Sequence, residues 1–561
     1  MKRSLYTSLS VVLLGALALA QNAVPFVLQP LRPVSAIPGM SGLTLTVNGV
    51  GFASGATVNW NGSARATTLV SSTKLTASIT ATDLAHVGTA LITVTNAAPG
   101  GGASNVVYFP VRQKTSPGGF ARTDTTTNSV TPYGMFVADF NNDGKLDVVV
   151  SYQSSPVMAV FLGNGDGTFQ APVTTAQSDS SWPVAIGDFN GDGKLDVVTE
   201  GNFGTVWFYF GNGDGTFTEQ PTTYGPSPAS YSPGDVNGDG KLDLIVSWGE
   251  QGVYGNDVWF GNGDGTFNDM QSLSVGAAGL SALSDYNRDG KLDVAIASFN
   301  DLEVAMGRSA GVFNTPTPYS IGGYQIFDLW AADLNNDGRP DLVSNDGFIF
   351  LNNGNGTFAI PATPNFPVTN SVQFLDANGD GKVDILGFAA STQGVNGVGI
   401  YPGNGDGTFQ SPIVSQTSWG NNNTPLGFGD FNGDGRIDVV TFSQDLVTGL
   451  PVMSVFLQNN LHISQSIINF GIVKLGSTSS QTSTLTNTGN STLNLGMIGL
   501  SNPNYSSITT CGTSLAPGAS CDVTINFSPR VKAKALPAKV RINFSGTLGS
   551  PQYIELNGLG D

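Results

Sequence analysis

The densest chemistry in this chain lies in seven short acidic stretches. In "GDFNGDGKLD", Asp188, Asn190, Asp192 and Asp196 take positions 1, 3, 5 and 9 of a loop, with Gly193 at 6 and Lys194 at 7. Side-chain oxygens at alternate positions converge on one point if the loop wraps. Glycine at 6 permits the sharp turn, and the carbonyl at 7 adds an oxygen whatever its side chain. A set of hard oxygens without His or Cys suits Ca²⁺ and is a poor match for zinc or copper, while Mg²⁺ wants a smaller, stricter octahedron. Without a cation, three carboxylates with one lysine repel one another at short range.

The set recurs as Asp139, Asn141, Asp143, Lys145 and Asp147; as Asp235, Asn237, Asp239, Lys241 and Asp243; and as Asp285, Asn287, Asp289, Lys291 and Asp293. It returns as Asp333, Asn335, Asp337, Arg339 and Asp341; as Asp376, Asn378, Asp380, Lys382 and Asp384; and as Asp430, Asn432, Asp434, Arg436 and Asp438. An EF-hand starts the same way but needs an acidic ligand at position 12 and flanking helices. Position 12 here is Val150, Thr199, Val246 and Ile296 in the first four loops, and strands flank them. A single copy would read equally well as a solvated Asp-Asn-Gly turn. Seven copies that all keep oxygens at 1, 3, 5 and 9 ask for more than a turn, so the expectation is up to seven Ca²⁺, one per repeat.

The elements that hold these loops follow from their spacing. The position-1 aspartates are separated by 49, 47, 50, 48, 43 and 54 residues, the period of an array of supersecondary units. A second marker runs in step: "GNGDGTF" ends at Phe169, Phe217, Phe267 and Phe409, "NNGNGTF" at Phe358, and a degenerate "GRSAGVF" at Phe313. Each unit thus reads as strand, Asp loop, strand, short loop, strand, Gly-rich hairpin and fourth strand, which is a propeller blade. The last unit stops at residues 454 to 460 without a fourth strand, while an orphan "SPGGFAR" around Phe120 precedes the first Asp loop. The early strand is expected to complete the last blade, closing a seven-bladed ring over residues 113–460.

Composition agrees with an all-β chain. Forty per cent of residues are hydrophobic, 11% are charged, and 73 glycines with 30 prolines supply turns. Residues 1–20, with Lys2 and Arg3, an apolar run from Val11 and the Ala18-Leu19-Ala20 end, read as a signal peptide cleaved after Ala20. The alternative, a membrane anchor, has too short an apolar core. The formal charge of −18 becomes −20 without Lys2 and Arg3, which argues against nucleic acid and anionic membranes as partners. Seven Ca²⁺ would bring it to −6. Cys511 and Cys521 are expected to form a disulfide in an exported protein rather than a metal or redox site.

"DFNGDGKLD" followed by "FGNGDGTF" resembles the FG-GAP/VCBS repeat, the blade of integrin α-subunit propellers and of many secreted bacterial proteins. That resemblance implies side-chain calcium ligands at positions 1, 3, 5 and 9 and a carbonyl ligand at 7. Residues 21–112, with "PGMSGLTLTVNGVGFASGATVNWNG", resemble an IPT/TIG immunoglobulin-like domain, in which Trp60 is expected in the core. Residues 461–561, with "INFGIVKLGSTSSQTSTLTNTGNSTLNL" and "CGTSLAPGASCDVTINFSP", resemble an ASH or choice-of-anchor D type β-sandwich.

The chain carries two histidines, His86 and His462, both outside the propeller, and no Gly-x-Ser-x-Gly elbow or zinc signature. Glu200, Glu219, Glu250 and Glu303 fall near blade loops with no spacing that pairs them. The reading is therefore a monomeric, secreted or cell-surface recognition protein for an extracellular glycan or protein, not an enzyme. The alternative is a polysaccharide lyase or hydrolase built on the propeller. Strand alternation puts the Asp loops and Gly-rich hairpins on one face. The opposite face would carry aromatics beside polar residues: Trp182, Trp248, Tyr254, Tyr319, Tyr324 and Trp419. Five of these (Trp182, Trp248, Tyr254, Tyr324 and Trp419) are the candidate ligand residues.

Overall fold

Segments such as Asp147–Tyr152 (DVVVSY) and Asp196–Gly201 (DVVTEG) are rich in β-branched residues and buried at every position. That pattern belongs to strands covered on both faces. The computed structural model describes residues 21–561 apart from 115–119, 127–131, 153–154, 202–204, 221–222, 225–227, 251–252, 274–280, 298–300, 321–325, 327, 361–370, 391–395, 417–425, 445–450, 466, 490, 501, 533–535 and 546–551. Among the described residues the secondary structure is strand throughout, apart from one 3₁₀ turn at Ser309–Gly311.

Between residues 120 and 458 the strands form seven antiparallel sheets, blades I to VII. Blade I runs Pro132–Ala138, Asp147–Tyr152, Ser155–Phe161 and Val173–Ala176, in that spatial order. Blades II, III, IV and VI repeat this order, and blade V has three strands among the described residues. Neighbouring first strands lie against each other, as Pro132–Ala138 does against Ser181–Gly187, so they line the axis of the ring. Blade VII closes as the orphan Phe120 predicts. Phe120–Thr126 pairs with Pro451–Gln458, setting Phe120 opposite Gln458, and no blade edge is left between the first and last repeats.

The second strand of each blade explains why the ring holds. Successive side chains point to opposite faces, so Val148 and Val150 turn toward blade VII while Val149 turns toward blade II. Every junction is filled this way. Val198 and Phe208 meet Val246 and Trp259, and Ile245 and Val258 meet Val294 and Ile296. Val304 meets Leu342 and Phe350, Val343 meets Ile385 and Tyr401, and Leu386 meets Val439 and Phe456. Tyr319 belongs to this core: it is 6% exposed and edge-on to Phe358.

The flanks are β-sandwiches. In the N-terminal one, two sheets enclose Leu45, Val47, Val58, Leu75, Ile92 and Phe109, and Trp60 packs on Phe109 in that core. In the C-terminal one, Phe470, Tyr505 and Phe527 form an aromatic cluster. There Cys511 and Cys521 are joined by a disulfide. His86 lies exposed in a bend, and burial lowers the pKa of His462.

Candidate metal centre

Each Asp loop is folded by its own side chains. In blade II, Asp188 Oδ1 accepts from Gly191 N (2.8 Å) and Asp192 N (3.1 Å), and its Oδ2 accepts from Gly193 N (2.9 Å). Asn190 Oδ1 accepts from Asp192 N at 2.8 Å, and Asp192 Oδ1 from Lys194 N at 2.9 Å. The bonds from position 6 to position 1, from 5 to 3 and from 7 to 5 recur in all seven loops. The glycine at 6 sits at positive φ, for example +82° at Gly193, where a Cβ would be strained.

Position 9 has a second task that the motif did not announce. Asp147, Asp196, Asp243, Asp293, Asp341, Asp384 and Asp438 are all fully buried. Each takes one N–H from position 2 of its own loop and one from the end of the third strand of the same blade. Asp196 accepts from Phe189 N and Gly211 N, both at 2.9 Å. Asp438 accepts from Phe431 N at 3.0 Å and Gln458 N at 2.8 Å. The carboxylate therefore staples the Asp loop to the strand that leads into the Gly-rich hairpin.

Position 7 also does more than offer a carbonyl. Its cationic head lies near the position-5 carboxylate, as with Lys145–Asp143 (3.5 Å) and Lys291–Asp289 (3.2 Å). Its stem lies over the hairpin of the same blade, within 3.2 Å of where a side chain at Gly165 or Gly213 would begin. The Asp loops and hairpins thus share one face, as strand alternation implied.

Burial, reinforced by neighbouring carboxylates, pushes these acids up. Asp147 rises to about 6 through burial, with Asp139 and Asp143 adding to it, and Asp196, Asp243, Asp293 and Asp341 reach about 7 for the same reasons. Burial also raises Asp139, Asp188, Asp235 and Asp285 at position 1. The donor set is hard oxygen, and like charges are held close, which is chemistry that a divalent cation fits. Among the described residues, however, no three acidic, histidine or cysteine side chains converge closely enough to hold an ion by themselves. The oxygens are turned onto backbone N–H groups instead. Positions 1, 3 and 5 and the carbonyl at 7 are the groups that could hold a cation, with position 9 behind them.

The N-terminal sandwich sits on this face, which sequence reasoning missed. Val24 N donates to Asp235 Oδ2 (2.8 Å), Ser35 Oγ to Asp376 Oδ2 (2.5 Å), and Arg32 pairs with Asp333. At the seventh loop a Cβ on Gly435 would lie 2.8 Å from Gly88 N and Val111 O. Arg112 is buried and donates to Ala377 O.

Of the candidate ligand residues, Trp182, Trp248 and Tyr254 lie at the other end of the strands. Trp182 is the second residue of the first strand of blade II and pairs across to Glu200, and Trp248 pairs with Pro228 in blade III. Both are half-buried rather than exposed, and the Trp248 ring lies against Gly255 of its own blade. Trp248 Nε1 donates to Asp257 Oδ2 at 2.6 Å. Tyr254 lies in Val253–Gly261 opposite Gly249, and Tyr324 and Trp419 fall outside the described residues. Glu200 is 5% exposed, and burial pushes its carboxyl up to about 8. Glu219 accepts from Tyr209 OH at 2.9 Å.

A family model described as FG-GAP-like repeat matches residues 139–199, 197–246, 285–344 and 388–441. One described as HYDIN/CFA65/VesB-like, Ig-like domain matches 459–559. No curated protein matches the chain. Among solved structures, the chain is similar to a lectin from Agrocybe aegerita that recognises non-reducing terminal N-acetylglucosamine, at 20% identity over 59% of this chain and 90% of that one, with a TM-score of 0.38. It is also similar to BBS1N in complex with ARL6DN, at 11% identity over 61% and 97%, with a TM-score of 0.41. A third is the ASH/PapD-like domain 7 of human CEP192, at 15% identity over 18% and 85%, with a TM-score of 0.16. The repeats and the C-terminal segment are thus similar to FG-GAP blades and to an immunoglobulin-like domain, in a chain whose strands form a β-propeller between sandwiches.

Proposed function

We propose that the protein is a secreted or cell-surface recognition module, a calcium-loaded propeller that binds an extracellular glycan or protein. The observation that carries this reading is the seating of the N-terminal sandwich on the Asp-loop face, which leaves the opposite end of the ring, with Trp182 and Trp248, for a ligand. Aromatic rings beside amides and carboxylates suit sugar rings or a protein partner. The flanking sandwiches, IPT/TIG-like at the N-terminus and ASH- or choice-of-anchor D-like at the C-terminus, act as spacers or further binding modules. Export is supported by the leader-like residues 1–20, which lie outside the described residues, and by the Cys511–Cys521 disulfide. No helix among the described residues is long and apolar enough to cross a membrane.

Calcium would supply charge neutralisation and cross-linking of each loop, so that its binding becomes folding free energy. Excess chelator at matched ionic strength is expected to lower the melting temperature, and an unchanged melt would remove calcium from the account. Ligand binding is tested on the purified protein with a glycan array and with a pull-down from extracellular material. Binding to either supports recognition. Release of unsaturated or reducing ends from polysaccharides would replace it with the lyase or hydrolase reading.

A further inference from the structure

The seven Asp loops share a motif but not an electrostatic setting. Loops 1 and 2 each hold three carboxylates and one lysine, a residual charge that one divalent ion would cancel. Loop 5 is different. Its own Arg339 Nη2 lies 3.0 Å from Asp337 Oδ2, and the N-terminal sandwich adds Arg32, whose guanidinium pairs with Asp333 Oδ2 at position 1. The chain around Arg32 is held there by a bond from Asp333 N to Gln29 O (3.1 Å) and by one from Gln373 Nε2 to Gln29 Oε1 (3.2 Å). From the preceding blade, Arg288 Nη2 comes within 4.0 Å of where a side chain at Gly338 would begin. Two guanidinium groups therefore pair with Asp333 and Asp337, and a third, Arg288, lies beside the loop at Gly338. A divalent ion placed there would face two paired guanidiniums that leave three carboxylates only one negative charge, with the Arg288 cation close by to offset it.

We propose that loop 5 takes no calcium, and that Arg32 stands in its place as a built-in cation that fastens the N-terminal sandwich to the propeller. The inference deepens the calcium reading of the loops and rests on it. A guanidinium suits the role because it stays charged and presents several donors to a carboxylate at once. At loops 3 and 6 the sandwich reaches the position-1 carboxylates through uncharged donors, Val24 N on Asp235 and Ser35 Oγ on Asp376, and Arg112 donates to the backbone of loop 6 at Ala377 O. A hydrogen bond of that kind is compatible with a carboxylate that also ligates an ion, whereas the Arg32 pair competes with it.

The test is the number of Ca²⁺ bound per full-length chain, measured by equilibrium dialysis with elemental analysis. Arg32→Gln combined with Arg288→Gln restores to loop 5 the charge of loops 1 and 2 and is expected to bind one ion more than the wild type. Adding Asp333→Asn is expected to abolish that gain. Arg32→Gln alone, which perturbs the fold less, is expected to show the extra ion at higher free calcium. Equal, non-zero counts in the wild type and these arginine variants overturn the inference while leaving calcium on the other loops. A gain that survives Asp333→Asn also overturns it, because the new ion would then sit elsewhere. No ion in any variant removes the calcium reading and this inference together.

Discussion

Asp243 shows how much of the fold rests on single carboxylates. Its two oxygens accept from Val236 N (3.0 Å) and Gly261 N (2.9 Å), with no solvent access to replace either bond. Asp243→Ala orphans these two buried donors at about 1–3 kcal/mol each and also removes the longer bond from Asn237 N (3.3 Å), so a loss of roughly 2–6 kcal/mol is expected in denaturant unfolding. Asp239→Ala, at the more open position 5 with one bond to Lys241 N, is expected to cost about 1 kcal/mol in chelator. Equal losses would refute the staple. Glu200 supplies the pH dependence. Burial raises its carboxyl from the usual 4.5 to about 8, so between those values the unfolded chain releases a proton that the folded chain keeps. Its contribution is complete below pH 4.5 and declines as pH rises toward 8, by up to about 1.4 kcal/mol per pH unit. Glu200→Gln keeps the neutral shape, so its stability relative to the wild type should rise between pH 5 and pH 8. A difference that stays flat with pH would show that Glu200 ionises normally.

At the scale of elements, the Gly-rich hairpin is the joint between blades. Gly265 N in blade III donates to Phe189 O in the Asp loop of blade II at 3.1 Å, and Gly167 N in blade I donates to Phe431 O in blade VII at 2.8 Å. Gly265 has φ +80°, and a Cβ there would lie 2.0 Å from Phe210 Cζ. Gly265→Ala thus combines left-handed strain with a clash and is expected to cost about 2–4 kcal/mol. Gly193→Ala, at φ +82° with open space around it, should cost about 1–2 kcal/mol from strain alone. The ordering of the two melting temperatures checks the joint. These features mark what the sequence could disclose. The Asp loop and hairpin were legible because their chemistry is local, complete within ten residues, and repeated. The closing strand was legible because Phe120 stood without its blade. The seating of the N-terminal sandwich was not, because Arg32 and Asp333 are 301 residues apart and nothing near either names the other. Nor was the half-burial of Trp248, which depends on Asp257 across the hairpin.

For the whole molecule, the question is how far damage at one junction spreads. An open array of repeats frays from its ends. Here Phe120–Thr126 completes blade VII, and Val148 and Phe161 of blade I pack on Val440 and Val455 of that blade, so the ring has no end from which to fray. Weakening one junction should then lower the stability of the ring as a unit. Trp259 is 1% exposed between blades II and III, and Phe527 is fully buried in the C-terminal sandwich. Truncating either to alanine removes an aromatic core and should cost about 3–5 kcal/mol. In a scanning calorimeter, Trp259→Ala should move the ring's transition down by roughly 5 °C, given the heat of unfolding of a domain this large, and leave it a single peak. Phe527→Ala should move a separate transition and spare that of the ring. A ring peak that splits in Trp259→Ala, with blades distant from the cavity melting at their old temperature, would mean that the blades behave as an open chain of repeats and that closure contributes little to their cooperativity.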